Sequence, residues 1–261
     1  MRIMTSNIWG DYFGNPVSVR EEGLYEVFAK YSPDILGFQE VTRGWYNGKM
    51  FSKLAAEYDF VGTEIFGSTN YVPFAYKREA GFVLRAKGYE MLENTPDISK
   101  AITWAYFERK EADKKSFAVC NTHFWWKTGK EHDLIRERNA KQLSALMKNL
   151  AEKYSCPVFA FGDMNCTVES SVFDIYSANG FFKLHSRALE KSDKSSHHGD
   201  PKLGGDGKYH GKTTENDFKH SIDHIIGYGE NIRVACYEIV EEQNALDSTD
   251  HSPVYADIDI D

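Results

Sequence analysis

Only four of the 261 residues are cysteine, at positions 120, 156, 166 and 236, and no C-x-x-C pair occurs among them. That scarcity and wide spacing exclude a zinc-ribbon or disulfide-framework reading, so the thiols are expected to be reduced packing residues. No uninterrupted apolar stretch approaches the roughly 20 residues needed to cross a bilayer, and membrane insertion is not expected. Cations are in the minority. The 31 Lys and Arg against 39 Asp and Glu leave a formal charge of −8 with histidine neutral. This disfavours nucleic acid as a partner, because affinity from blanketing phosphates needs an excess of cations. A metal could still hold a small anionic ligand. No internal repeat and no linker-like break in composition is present, and residues 1–261 read as one domain. The β-like run Arg2 to Ile8 starts directly after Met1 and leaves no room for a signal peptide in this chain, which makes the cytoplasm the expected location.

What is present is ordinary globular composition, 41% hydrophobic and 27% charged. Periodicity predicts buried strands at Arg2 to Ile8 and Asp34 to Gln39, separated by an amphipathic helix carrying Val19, Leu24, Val27, Phe28 and Tyr31. A second helix is expected around Met50 to Tyr58. Short alternating runs then predict strands at Tyr71 to Tyr76, Phe82 to Asn94, Ala101 to Arg109 and Ser116 to Phe124, the last two joined by a polar turn at 111–115. Residues 131–152 form the longest predicted helix, followed by a strand at Pro157 to Phe161 and a short helix at Ser170 to Asn179. From Lys183 to about Lys219 the chain is polar and reads as a long surface loop, before strands at Asp223 to Ile226, Ile232 to Val240 and Val254 to Ile260. Strands outnumber helices and lie before, between and after them. That order suits an α/β protein of two packed sheets flanked by helices better than alternating βαβ units.

Polar residues capable of chemistry recur at the strand ends: Asn7, Gln39-Glu40, Asn121-Thr-His123, Gly162-Asp-Met-Asn165, Asp223-His224 and Asp250-His251. Solvation alone accounts poorly for six such sites built from carboxylates, carboxamides and imidazoles. They are the groups a magnesium phosphoesterase requires. Mg2+ takes hard oxygen ligands and keeps several waters, so Glu40 with Asn7 suffices to hold it. A hydrolase at neutral pH must also make a nucleophile from water, for which Asp163, Asp223 and His251 are candidates.

In order, Ser-Asn7-Ile, Phe-Gln39-Glu40-Val, Asn-Thr-His123-Phe, Phe-Gly-Asp163-Met-Asn165, Ser-Ile-Asp223-His-Ile and Thr-Asp250-His251-Ser-Pro resemble the endonuclease/exonuclease/phosphatase superfamily over nearly the whole chain. The resemblance implies a deoxyribonuclease I-like four-layer α/β sandwich of two mainly antiparallel sheets, and hydrolysis of a phosphoester dependent on Mg2+, with Mn2+ as the alternative. It implies that Glu40 is the principal metal ligand and that Asn7 and Asp250 complete or support the metal site. His251 corresponds to the imidazole that contacts phosphate or activates water, with Asp223 orienting it. Asp163 corresponds to the aspartate acting on the nucleophilic water, Asn165 to an amide on the phosphate, and His123 to the histidine serving the transition state or leaving oxygen. Four positions depart from the pattern. Asn70 falls where many relatives carry a glutamate that supports the histidine, and an amide gives an imidazolium less support. Lys100 and His220 stand where arginine is frequent, and Trp125 and Trp126 follow where many small members have Leu-Asp-His.

Trp125 and Trp126, with Trp9, Trp45 and Tyr46, are candidates to line the pocket, and packing is the competing reading; Trp104 is expected in the core. His197, His198 and His210 read better as a solvated loop than as a second metal site, and Arg136, Arg138 and Lys141 as a solvated helix face or partners of Glu131 and Glu137. Three functions follow in order of preference. The first is hydrolysis of a small or medium phosphoester or phosphodiester. The second is a DNA or RNA nuclease helped by a lysine patch at 191, 194, 202, 208, 212 and 219. The third is a silent binding module, against which stands the retention of Glu40, Asp163 and His251. The leaving group and the oligomeric state stay open.

Overall fold

The computed structural model describes residues 1–63, 70–93, 95–111, 115–213 and 217–261. Within them, a seven-stranded sheet runs in the order Glu190–Lys191, Ile232–Ile239, Val254–Ile260, Arg2–Asn7, Ile35–Gln39, Phe74–Lys77, Tyr58–Val61. A six-stranded sheet runs Phe82–Met91, Ala101–Arg109, Phe117–His123, Val158–Asp163, Asp223–Tyr228, Phe182–Lys183. Period-two alternation sorts each strand between two cores. Phe117, Val119, Phe159 and Phe161 point between the sheets, where they meet Ile3, Ile35, Phe74 and Val254. Ala118, Cys120, Val158 and Ala160 point outward onto the helix Lys130–Tyr154 through Leu143, Met147 and Leu150. The helix Glu21–Tyr31 covers the other sheet through Leu24, Val27 and Phe28. Helix, sheet, sheet and helix thus form the four layers that the sequence predicts.

Most neighbours are antiparallel, but two central pairs are parallel: Arg2–Asn7 with Ile35–Gln39, and Phe117–His123 with Val158–Asp163. Parallel partners finish at the same sheet edge. Asn7 lies opposite Gln39, and His123 opposite Asp163. The strand beginning at Asp223 runs antiparallel with Asp223 opposite Asp163, so it starts where the others stop. Register alone therefore brings the chemistry-bearing ends together.

Apolar packing between sheets is non-directional, and the contact near that edge is instead polar. The Asn121 amide donates to the carbonyls of Phe38, Val72 and Pro73 at 2.8, 3.0 and 2.8 Å, and its oxygen accepts from Gln39 at 2.6 Å. Gln39 also pairs with the Thr5 hydroxyl. Gly37 is required beside this network, because a Cβ there would lie 2.3 Å from the Phe161 ring.

Several expected boundaries move. The helix expected at Met50 to Tyr58 is shorter, Met50–Leu54, preceded by a short helix Arg43–Asn47 and followed by the strand Tyr58–Val61. The strand expected from Tyr71 starts at Phe74, since Pro73 brings no N–H to a ladder. Asn94 and residues 112–114 of the expected turn lie outside the described residues. The polar stretch after Lys183 is not simply a loop. Phe182–Lys183 extends the six-stranded sheet, Glu190–Lys191 pairs with Ile232–Ile239 in the other, and Lys202–Leu203 pairs with Tyr209–His210. Two-residue edge strands carry too little alternation to be read from sequence. Residues 182–210 are hereafter called the strap.

Replacing Asn121 by leucine should strip the Phe38 and Val72 carbonyls of their amide donor, while the Pro73 carbonyl keeps the Phe38 N–H and Gln39 keeps Thr5, at about 1–3 kcal/mol for each group that finds no new partner. Urea denaturation should show a loss of at least about 2 kcal/mol; unchanged stability would remove the amide from the inter-sheet contact.

Candidate active site

The strand ends turn sharply where they leave the sheets. Trp9, Glu40 and Asn165 have positive φ of 56°, 62° and 49°, a conformation costly for residues other than glycine that concentrates at functional sites. At Gly162, φ is 144°, and a Cβ there would sit 1.9 Å from the Thr122 carbonyl oxygen, so Gly-Asp163 tolerates no side chain at its first position.

The Asp163 carboxylate is the hub. One oxygen accepts from the Asn7 amide at 3.0 Å and lies 3.3 Å from His123 Nε2 and 4.0 Å from His251 Nε2. The other accepts from the Asn165 backbone N–H at 2.8 Å. Burial alone would raise its pKa, but His123, His251 and Lys100 together hold it well below the usual carboxylate range. His251 Nδ1 lies 2.7 Å from Asp223, whose same oxygen also accepts from the Ser196 hydroxyl at 2.8 Å. Burial would lower the His251 pKa; Asp223, Asp250 and Asp163 outweigh it and keep this imidazole cationic well above the normal range. His224 follows Asp223 on the strand and so faces the opposite way, onto the Cys166 carbonyl at 2.9 Å.

On the far side of the hub, Lys100 Nζ lies 2.7 Å from His123 Nε2 and 3.1 Å from Nδ1. Two full cations at that distance would repel strongly. Burial lowers the Lys100 pKa, against the opposing pull of Glu40, Asp163 and Asp97. Asn70 does not support His123. Its amide donates to Gly62 and Thr103, and its oxygen accepts from Val72.

Glu40 accepts from the Gly10 N–H at 2.8 Å and from Asn7 at 3.3 Å. Asp250 is half-buried near it. Desolvation first, opposed by His251 and reinforced by Glu40, pushes the Asp250 pKa up to about 7. Two neighbouring carboxylates behave in this way, and their oxygens fit a hard divalent cation. Asn7 turns its amide N–H to Glu40 and Asp163, and its oxygen accepts from the Trp9 N–H at 3.0 Å.

All eight predicted catalytic and metal residues lie along this one edge. The tryptophans divide. Trp125 is buried, its indole donating to His132 at 2.9 Å, whereas Trp126 is 56% exposed, with Lys127 over both rings. Trp45 is wholly buried, and Tyr46 donates to the Asn70 carbonyl. Trp104 is half-buried against the outer helix layer. Arg136 corrects its expected solvated role. It is buried, bonded to the Trp125 and Lys127 carbonyls and to Asp133, because the chain leaving His123 doubles back over the helix. The strap corrects the histidine reading: His197 bridges to His251, with ring centroids 4.7 Å apart. His198 buries both ring nitrogens without a partner, and burial and the neighbouring imidazoles push it down to about 4, so it stays neutral. Sequence reasoning also missed Arg20, a buried guanidinium bonded to the carbonyls of Ile8, Trp9, Asn15 and Ser248. It sits in the turn just before the helix Glu21–Tyr31, where the sequence gave no signal of this.

A buried carboxylate–imidazole array at one edge of a four-layer sandwich is the setting of a metal-dependent phosphoester hydrolase. The family model described as "Endonuclease/Exonuclease/phosphatase family" matches residues 4–251, and the chain belongs to that family. No curated protein sequence matches it. Among solved structures it resembles an endonuclease/exonuclease/phosphatase from Bacteroides vulgatus at 21% identity, covering 100% of this chain and 98% of that one, TM-score 0.79. It also resembles the Bacteroides thetaiotaomicron mannosyl-6-phosphatase Bt3783 at 18% identity, with 100% of both chains covered, TM-score 0.75. The human Nocturnin catalytic domain with bound sulfate matches at 16% identity, covering 100% and 94%, TM-score 0.72. No helix among the described residues is long and apolar enough to cross a membrane.

The Asp250 shift fixes a pH dependence. A carboxyl whose folded pKa of about 7 exceeds its unfolded value of 3.8 stabilises the fold fully below 3.8 and loses that contribution as pH rises to 7. In EDTA, Asp250→Asn should therefore raise the melting temperature at neutral pH by the equivalent of up to about 4 kcal/mol. At pH 4 the gain should vanish. A variant less stable than wild type at pH 7.5 in EDTA would show that the carboxylate is compensated within the protein.

Proposed function

We propose that the protein hydrolyses a phosphoester or phosphodiester of a small or medium substrate, using Mg2+, with Mn2+ as a substitute. The observation that carries this is the convergence of Asp223–His251, Asp163 and Lys100–His123 on one edge beside Glu40 and Asp250. Glu40, Asn7 and Asp250 would hold the cation, which supplies positive charge to a phosphoryl oxygen when bound. His251, kept cationic by Asp223, contacts a second phosphoryl oxygen, and Asn165, one of whose amide N–H groups donates to the Phe124 carbonyl at 3.2 Å, offers the other to the phosphate. Asp163 orients the attacking water. Substrate negative charge draws Lys100 and His251 toward the phosphate, which loosens their hold on Asp163 and raises its proton affinity. The carboxylate then takes the water proton as the new P–O bond forms. The leaving oxygen, as its bond to phosphorus breaks, collects a proton from the Lys100–His123 pair. Nucleic acid is disfavoured by the net charge of −8 and by local pairing: Lys194 is bonded to Glu241 and Lys219 to Asp217, both at 2.8 Å. Trp126, exposed beyond the His123 strand, is the aromatic surface available to a substrate's apolar face.

Calorimetry should show Mg2+ binding to wild type and a clear loss in Glu40→Gln; equal affinities would sink the metal assignment. Asp163→Asn and His251→Ala should each lower kcat on the order of a hundredfold or more while KM changes little, because their contacts strengthen only as water attacks. Near-wild-type turnover on a panel of sugar phosphates, bis-p-nitrophenyl phosphate, RNA and plasmid DNA would remove that residue from the mechanism. Plasmid DNA as the best substrate would favour the nuclease reading.

A further inference from the structure

We propose that His197, Asp250 and His251 form a second cation site, selective for borderline transition metals such as Zn2+ or Co2+, and that its occupation inhibits the enzyme. One ligand atom from each of the three lies within 4.8 Å of the others. Two imidazole nitrogens and one carboxylate oxygen are the donor set of a three-ligand zinc site with an open fourth position, whereas Mg2+ prefers oxygen alone. A tetrahedral zinc with bonds of about 2.0–2.1 Å needs donors about 3.3 Å apart, so the group must contract slightly. His197, exposed and with its ring edge-on to that of His251, would turn to do so.

Three features prepare the site. Asp223 holds His251 through Nδ1, which leaves Nε2 for a metal in the carboxylate–histidine–metal arrangement that orients such ligands. The strap backbone is zipped to the loop opposite: Ser252 N–H donates to the Ser196 carbonyl at 2.7 Å, and His198 N–H to the Asp250 carbonyl at 3.0 Å. Asp250 would offer one oxygen here and the other to the Mg2+ held with Glu40, and it has little satisfaction from protein groups. Thr249, the one side chain bonded to it among the described residues, stands at 3.4 Å and makes a shorter bond of 2.7 Å to the Asn7 carbonyl. Metal binding would displace the Nε2 proton of His251 to solvent and tie that nitrogen to the cation. His251 would then be lost to the phosphate. The inhibition, though not the binding, rests on the catalytic role proposed for His251.

The test is Co2+ binding to the whole protein in saturating Mg2+, followed by the d–d absorption of tetrahedral Co2+ and by calorimetry, with Zn2+ inhibition measured in parallel. Wild type should bind one Co2+ beyond Mg2+. His197→Ala, at an exposed position, should keep its melting temperature, Mg2+ affinity and basal turnover. It should bind Co2+ about 10- to 100-fold more weakly and resist Zn2+ inhibition to the same extent. Glu40→Gln should lose Mg2+ and keep Co2+. Equal Co2+ affinity in wild type and His197→Ala, or no Co2+ bound in Mg2+, overturns the site. If His197→Ala loses Co2+ but Zn2+ bound to wild type does not inhibit, the cation site stands and His251 leaves the catalytic mechanism.

Discussion

Two amides crossing the interior set the geometry on which the site depends. Gln39 immediately precedes Glu40, Asn121 lies two residues before His123, and the 2.6 Å bond between them fixes one sheet against the other. Phenylalanine and isoleucine layers would pack nearly as well with the sheets slid by part of a residue. A buried donor has no such latitude, since losing its acceptor costs its full desolvation. The carboxylate from one sheet and the imidazole from the other are thereby held at a fixed spacing before any ligand arrives.

The sequence made the layers and strand ends legible because both are written in local patterns. Alternation placed Phe117 and Val119 inside, and the polar residue ending each run marked the rim. What stayed hidden depends on contacts between distant segments. The strap joins each sheet through two-residue strands, too short for any period to register. His197 reads as one histidine in a polar stretch and reaches His251 only through that strap. Arg20, in the turn before the first long helix, carries no local signal, yet carbonyls of Ile8, Trp9, Asn15 and the distant Ser248 close around it. Arg136 looked solvated for the same reason.

Charge in the site is arranged by exchange of partners. Asn70 stands where a glutamate would support the histidine of the Asn-Thr-His strand, and the amide turns away to bond Gly62 and Thr103. A lysine from the neighbouring strand occupies the space beside the ring instead. His123 is thus flanked by a cation and by Asp163, which makes it a relay between the hub and Lys100 rather than one end of a carboxylate–imidazole dyad. Asp223 and His251 keep the dyad arrangement on the other flank. One side of the hub holds its imidazole's charge with a carboxylate, and the other sets a lysine against the imidazole.

The position of Arg2–Asn7 between Ile35–Gln39 and Val254–Ile260 bears on how the molecule comes into being. During synthesis that first strand has one partner early and waits for some 250 residues to emerge before gaining the other, a closure of very high sequence separation that is slow to form. Until then it presents an open edge, and the Asp250–His251 loop is not yet made. A nascent or truncated chain therefore carries Asn7, Glu40 and Asp163 but no working hydrolase, so activity appears only with the completed fold.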